Sequence, residues 1–229
     1  MAAKKVIMFI VEGPTDADAL EPALRKIFDN ERIHFHIVHG DITTKKEVSA
    51  ANIISKVTSC IKQEMDRYGF KQRDILRVIH IIDTDGAFIP NRKVEFEDIE
   101  KIKYLEDKIL TSDREAIIKR NEQKTRVVCR LIGAAKVGAF DYSIYYFSRN
   151  LEHVFHDISD DLTDDEKVEY ADEVAEKYGT SPEDFLDFIR ADDIAVFGSY
   201  KETWDYIMQN TNSLKRNSNF HIIFGEEKK

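Results

Sequence analysis

Hydrophobic residues in this chain occur in short continuous runs, which alternate with segments where they recur every three to four residues. The first run is Val6–Val11, six apolar residues followed by a Glu-Gly-Pro-Thr sequence. Such a run is typical of a strand that is buried on both faces of a parallel sheet and ends in a sharp turn. The pattern therefore predicts a buried strand at the start of the chain.

The sequence after the first strand predicts two helices and two more strands. Apolar residues at helical spacing predict helices over residues 16–29 and 49–68, the second of which stops at Gly69. Strands are predicted over residues 33–38 and 75–82. The order strand, helix, strand, helix, strand predicts a parallel sheet with right-handed crossovers.

The rest of the chain has a mainly helical pattern. Residues 92–132 are charged and predict a helical insertion, and a fourth strand is expected over residues 142–147. After it, helices are expected, with an edge-strand candidate at 220–224. We therefore expect a single α/β domain over residues 1–229, with these parts: a core of about 5–157, the insertion of about 92–132 and a helical C-terminal part of about 158–229.

Charge and composition narrow the classes of function. The 43 acidic and 34 basic residues give a net charge of −9, which argues against tight nucleic-acid binding by overall electrostatics, so such a contact must be local or bridged by metal. The only cysteines, Cys60 and Cys129, indicate neither a disulfide framework nor a cysteine zinc site. Short apolar runs and the absence of a signal layout predict a cytoplasmic protein without a membrane partner.

Three carboxylates follow directly after predicted strands. Glu12 ends the first strand, and Asp83 and Asp85 end the third. Ligands of open parallel sheets bind beyond the carboxyl ends of the strands, so these residues are expected to converge. Clustered carboxylates repel one another unless a hard cation neutralises them, and Mg²⁺ prefers oxygen ligands of this kind. The sequence therefore predicts a divalent-metal site.

Residues next to these carboxylates either support the predicted metal site or have an ordinary structural role. Gly13 and Gly86 are expected to let the backbone turn tightly beside the metal. Asp16 lies one helical turn beyond Glu12, where it either joins the site or only caps the helix. The Asp-x-Asp-Gly sequence at 83–86 is also compatible with an ordinary turn. A group of histidines at 34, 36 and 39 lacks suitable metal spacing and predicts a solvated strand face.

The two motifs resemble a known signature. Val11-Glu12-Gly13-Pro14-Thr15-Asp16 and the later Ile82-Asp83-Thr84-Asp85-Gly86 resemble the Toprim pattern of topoisomerases, bacterial primases and small nucleases. The first motif is most similar to the nuclease branch, which includes OLD-family and RloB-like proteins. The resemblance implies a Toprim-like, Rossmann-like central parallel sheet flanked by helices, and Mg²⁺ or Mn²⁺ held by Glu12, Asp16, Asp83 and Asp85.

The same branch implies further site residues. Its nucleases often add a later acidic residue, for which Glu152 is the candidate, although a surface helix glutamate is the alternative. They also place a basic residue near the metal, and Lys136, Lys215 and Arg216 are candidates among which the sequence does not choose. The implied catalytic set is Glu12, Asp83, Asp85 and Glu152.

The expected function is metal-dependent hydrolysis of phosphodiester bonds in DNA or RNA. A role in phage defence is implied only by the nuclease branch, and the need for a partner ATPase stays open. Topoisomerase action would need a nucleophilic tyrosine in a separate domain, and primase action a template-binding module. The alternative is a non-catalytic subunit that binds metal or a nucleotide within a larger complex.

Overall fold

The structure is a computed structural model that describes residues 5–29, 31–37, 41–158 and 162–225. In chain order its helices and strands are β1 Val6–Val11, α1 Pro14–Ile27, β2 Arg32–Ile37, α2 Ile53–Tyr68, β3 Ile75–Asp83, β4 Val94–Phe96, β5 Lys103–Tyr104, β6 Ile109–Thr111, α3 Arg114–Ile132, β7 Lys136–Val137, β8 Phe140–Phe147, α4 Leu151–His156, α5 Asp164–Gly179, α6 Pro182–Ile189 and α7 Tyr200–Ile207. The chain divides into two compact units. The first comprises residues 1–82, 126–145 and 171–182, and the second comprises residues 83–125, 146–170 and 183–229.

A five-stranded sheet carries the first unit. Its strand order is β2-β1-β3-β8-β7, and β1 pairs in parallel with both β2 and β3. All six residues of β1 are buried, which confirms the prediction of a strand covered on both faces. The α/β class and the sheet flanked by helices are likewise as predicted.

One edge of this sheet departs from the predicted parallel arrangement. Strand β7 pairs with β8 in antiparallel orientation, which makes the sheet mixed. Only Gly138 and Ala139 separate the two strands, and so short a connection can join only antiparallel neighbours. With two residues, β7 is too short to produce a recognisable pattern in the sequence.

The predicted helical insertion over residues 92–132 is wrong in its first half. Strands β4, β5 and β6 form a small separate sheet in the order β4-β6-β5, and only α3 is helical as predicted. Val94 of β4 lies opposite Ile109 of β6, and both are buried in a cluster that includes Leu214. That burial depends on a residue about a hundred positions away, so local periodicity did not reveal it.

The predicted edge strand at 220–224 is also wrong. Phe220–Phe224 forms a 3-10 helix in the second unit. The rings of Phe220 and Phe224 lie with their centroids 5.6 Å apart, and that of Phe220 also contacts Phe185 of α6. Residues four apart on a strand would be separated by about 13 Å, so only a helical turn brings both rings into the same apolar cluster.

The strand histidines face a carboxylate, not solvent. His34 and His36 point the same way from β2, as alternation predicts, and their ring nitrogens lie 2.8 and 3.1 Å from the carboxylate oxygens of Glu64 on α2. Burial by itself raises the pKa of Glu64, but the hydrogen bonds from the two histidines bring it below its usual value. The prediction of a solvated face is therefore corrected, and His39 lies outside the described residues.

Candidate metal site

Glu12 lies where β1 gives way to α1. The helix begins at Pro14, whose restricted φ angle suits the first helical position, and Gly13 before it has an extended backbone. The amide N–H of Gly13 donates a hydrogen bond of 2.9 Å to the Asp16 carboxylate. Asp16 therefore stabilises the start of the helix, as one of its two predicted interpretations states, and Glu12 is held on a well-defined turn.

Asp41 follows β2, which ends at Ile37, after residues 38–40 that lie outside the described residues. Its Oδ1 accepts hydrogen bonds from the backbone N–H of Thr43 at 2.7 Å and from the Thr43 hydroxyl at 2.5 Å. Thr43 is fully buried, so this short turn orients the carboxylate. Asp41 is absent from the predicted site, although the rule that singled out the ends of the first and third strands applies equally to the second.

Asp85 is positioned by the turn that follows β3. The backbone N–H of Asp85 donates to the carbonyl of Arg149 at 3.0 Å, and the neighbouring N–H of Thr84 donates to the carbonyl of Phe147 at 3.1 Å. In return the Thr84 hydroxyl accepts from the N–H of Arg149 at 2.8 Å. Asp85 itself adopts a positive φ of 47°, a conformation that these hydrogen bonds hold in place.

Helix α3 supplies the basic partner of Asp85. The ammonium of Lys124 lies 2.5 Å from Oδ2 of Asp85, and the lysine side chain is fully buried whereas that of Asp85 is 31% exposed. One turn earlier, Arg120 donates to the Asp85 carbonyl at 2.7 Å, and Asn121 donates to the Gly86 carbonyl at 3.0 Å. The helix therefore fixes both the backbone and the carboxylate of the turn.

Lys124 was not among the basic candidates drawn from the sequence. Its spacing of four residues from Arg120 puts both on one helical face, but charged faces of this kind are usually solvated, and only the folded chain shows its burial. Lys136 is instead exposed and pairs with Asp141 on the neighbouring strand. Lys215 is exposed, and Arg216 donates to the Val154 carbonyl at 2.9 Å.

Three carboxylates form an acidic triad that could hold a metal ion. Glu12, Asp41 and Asp85 each offer one oxygen, and these oxygens all lie within 4.8 Å of one another. Opposite ligands of Mg²⁺ lie about 4 Å apart, so small side-chain rotations would suffice for the three oxygens to share one ion. A donor set of carboxylates alone, without histidine or cysteine, fits Mg²⁺ or Mn²⁺ better than Zn²⁺.

The other predicted acidic residues lie outside the triad. Asp83 is the half-buried last residue of β3, and Asp16 interacts with the start of α1. Glu152 lies in the first turn of α4, where it is buried, contrary to the alternative of an exposed surface glutamate. The metal-binding or catalytic roles of these three residues stay predictions.

A histidine next to Glu152 has an altered proton affinity. Burial, reinforced by the nearby positive charge of Arg149, lowers the pKa of His153 to about 4. Its Nδ1 lies 3.2 Å from the carbonyl oxygen of Ser148. The ring is therefore neutral at pH 7 and adds no positive charge to this part of the second unit.

The two predicted turn glycines differ in whether the surrounding structure leaves room for a Cβ atom. At Gly13 an added Cβ would make only ordinary contacts, the shortest being 3.6 Å to the Thr15 hydroxyl, so the tight turn there does not require a glycine for space. Gly86 has a positive φ of 71°, and an added Cβ would lie 2.6 Å from Cδ1 of Ile109 and 3.0 Å from Cδ2 of Leu214. Only Gly86 is required by both conformation and space.

Gly86→Ala is expected to lower the free energy of unfolding by about 3 kcal/mol, from backbone strain and overpacking together. Gly69→Ala is a matched control, because Gly69 has a φ of 70° but no atom within 4 Å of the added Cβ. The control isolates the backbone term and should cost about 1 kcal/mol. Urea denaturation measures both, and equal losses would show that the contacts of Gly86 do not matter.

Comparison of the chain with protein-family models, curated proteins and solved structures finds no match. Within the described ranges, none of the helices has the combination of length and apolar character needed to cross a bilayer.

Proposed function

We propose that this protein is a divalent-metal-dependent nuclease in which Glu12, Asp41 and Asp85 hold Mg²⁺ or Mn²⁺. The observation that carries the proposal is the set of three carboxylate oxygens within 4.8 Å of one another. Each of the three residues follows a different one of the strands β1, β2 and β3, where sheet proteins bind ligands. The likeness of the Glu-Gly and Asp-x-Asp motifs to the Toprim signature supports the finer assignment to the nuclease branch.

The metal, when bound, would polarise a phosphodiester oxygen and lower the pKa of a water molecule. The residues of the chain would prepare that chemistry. Lys124 orients the Asp85 carboxylate from a buried position, and Arg120 and Asn121 hold the turn through its carbonyls. The carboxylates would therefore meet the cation in a fixed geometry, with little reorganisation during the reaction.

The overall negative charge shapes how a substrate would bind. A chain with a net charge of −9 repels phosphates at long range, so the cation at the triad would supply much of the local attraction. We further propose, from the motif likeness alone, that Asp16, Asp83 and Glu152 assist the site. Cytoplasmic location, a partner ATPase and a role in phage defence belong to the same proposal.

The decisive experiment measures cleavage of supercoiled plasmid, circular single-stranded DNA and tRNA in Mg²⁺ or Mn²⁺, with EDTA as the metal-free control. Asp41→Asn keeps an oxygen that can accept both Thr43 hydrogen bonds, so it should fold normally while losing a charged ligand. We expect it to lower the cleavage rate at least about a hundredfold, equivalent to ~2.7 kcal/mol.

Asp66→Asn, a change at an exposed helix position, is the matched control and should leave the rate unchanged. Equal rates in the two variants would attribute cleavage to a source other than the triad. If metal binds but none of the substrates is cut, the protein is instead a non-catalytic metal-binding subunit.

A further inference from the structure

The second unit contains a groove of about 340 Å³ whose walls are held by main-chain hydrogen bonds. It is lined by the segment 192–197, by Tyr206 of α7 and by the segment 215–217. The N–H of Val196 donates to the carbonyl of Ser218 at 3.0 Å, and the N–H of Ser218 donates to the carbonyl of Ile194 at 2.8 Å. These bonds join the two segments, so the groove is a preformed feature of the unit.

The lining combines exposed aromatic rings with charges of both signs. Phe197 is 60% exposed and Tyr206 is 37% exposed, although rings of this size are usually buried. Lys215 and Arg216 supply two cations, and Asp192 and Asp193 supply two carboxylates. Arg216 lies 3.6 Å from Asp193, while Lys215 forms no ion pair with the described residues. A ligand with a flat ring, N–H donors and an anionic group would match this lining.

A buried acceptor in the wall adds an independent sign of a ligand. Asn217 is only 5% exposed, and its Nδ2 donates to the carbonyls of Asn212 and Lys215, both at 3.1 Å. These two bonds fix the amide orientation, and Oδ1 then accepts no hydrogen bond from any described part of the chain. A buried acceptor without a partner costs free energy, which a small shift of the wall toward an N–H donor of a ligand would recover.

Hydrogen bonds connect the groove to the turn that contains Asp85. The N–H of Ser148 donates to the carbonyl of Asn217 at 2.9 Å, and the next residue, Arg149, accepts at its carbonyl from the N–H of Asp85 at 3.0 Å. The hydroxyl of Ser148 also donates to the carbonyl of Ser213 at 2.9 Å. Two consecutive residues therefore hold both the groove wall and the turn with the metal-binding carboxylate.

We propose that this groove binds an unpaired nucleotide of a nucleic-acid strand, with the base stacked on the aromatic rings and the phosphate at the two cations. Every base has a π-face that stacks on aromatic side chains, and its N–H groups suit the carboxylates of the groove. A base within a duplex is already paired and stacked, so the groove selects single-stranded substrates. This inference rests on the proposed nuclease function for the identity of its ligand.

Fluorescence anisotropy tests the inference with a labelled thymine DNA of about 15 nucleotides, the equivalent uracil RNA and a blunt duplex of the same length. Ca²⁺ replaces Mg²⁺ as an oxygen-liganded cation, and all samples contain the complete chain. We expect tighter binding of both single strands than of the duplex. Phe197→Ala should weaken single-strand binding at least about fivefold. Phe197→Leu should weaken it as much, because leucine keeps an apolar surface but has no ring on which a base can stack.

Phe96→Ala is the matched control, since Phe96 is 68% exposed in the same unit but lies outside the groove. Lys215→Ala should reduce the slope of log affinity against log salt concentration by about 0.7, the value for one phosphate contact on a single strand. Unchanged melting temperatures and circular dichroism would establish that the variants are folded. Equal affinities of the Phe197 and Phe96 variants, no preference for single strands, or no binding at all would overturn the inference.

Cleavage assays on the same variants separate this inference from the proposed function. Metal-dependent cleavage that is lost in Asp41→Asn, together with normal single-strand binding by Phe197→Ala, would support the nuclease and refute the groove. Single-strand binding that is lost in Phe197→Ala, without cleavage of any substrate, would refute the nuclease and support a nucleotide site in the groove.

Discussion

Asp85→Asn is expected to lower both the rate of metal-dependent cleavage and the stability of the fold. The Asp85 carboxylate belongs to the acidic triad and also lies 2.5 Å from the ammonium of Lys124, whose side chain has no exposure. Loss of a ligand charge should reduce the cleavage rate at least about a hundredfold. Loss of the negative charge beside a buried cation should reduce the free energy of unfolding by about 3 kcal/mol.

A second substitution separates these two effects. Lys124→Met removes the buried charge, so Asp85→Asn combined with Lys124→Met should recover most of the stability lost in the single variant but none of the cleavage. Lys124→Met alone should cost less than Asp85→Asn, because the partly exposed carboxylate can be solvated and the buried ammonium cannot. Urea denaturation of the four proteins gives the coupling energy. A coupling energy near zero would show that the pair does not stabilise the fold.

Divalent metal is expected to stabilise the wild-type protein by about 2.7 kcal/mol when the free ion is at a hundredfold excess over its Kd. The cation binds only where the three carboxylates are brought together, so it favours the folded chain. Glu12→Gln removes one ligand charge and should lose most of this gain. Thermal denaturation in Mg²⁺, in Mn²⁺ and in Na⁺ of equal ionic strength measures the effect and separates specific binding from screening.

The metal-free state provides an internal check on this prediction. In EDTA, Glu12→Gln should melt at the same temperature as wild type or higher, because it relieves repulsion between neighbouring carboxylates. Glu106→Gln, an exposed change in the turn between β5 and β6, is the control and should keep the full metal response. Equal metal-induced shifts in wild type and Glu12→Gln would mean that the ion binds at another site.

Local patterns in the sequence were sufficient for the four longer strands of the large sheet and for two members of the triad. The apolar run of β1 and that of β3 are each long enough to identify a buried strand, and each leads directly to an acidic residue. Because ligands of such sheets bind at the carboxyl ends of strands, Glu12 and Asp85 could be named before the fold was known. The main helices were predictable for the same reason, since their apolar spacing is a property of neighbouring residues.

Other features depend on residues that are distant in sequence. Strands β4 and β6 are only three residues long and owe their burial to packing with Leu214, so no local period marks them. Asp41 lies four residues beyond the end of β2, and its turn depends on the burial of Thr43. The roles predicted for Asp16, Asp83 and Glu152 rest on motif likeness and stay predictions.

Lys124 shows most clearly what could not be predicted from the sequence alone. In the sequence it is one of several charged residues along α3, a position that normally faces solvent. The folded chain buries it completely and puts its ammonium 2.5 Å from Asp85, 39 residues earlier in the chain. A buried charge is tolerated only when a partner compensates its desolvation, and the partner comes from tertiary packing. The sequence by itself therefore determined the four longer strands of the large sheet and the acidic residues that follow two of them, while the tertiary structure decided which carboxylates meet and that Lys124 pairs with Asp85.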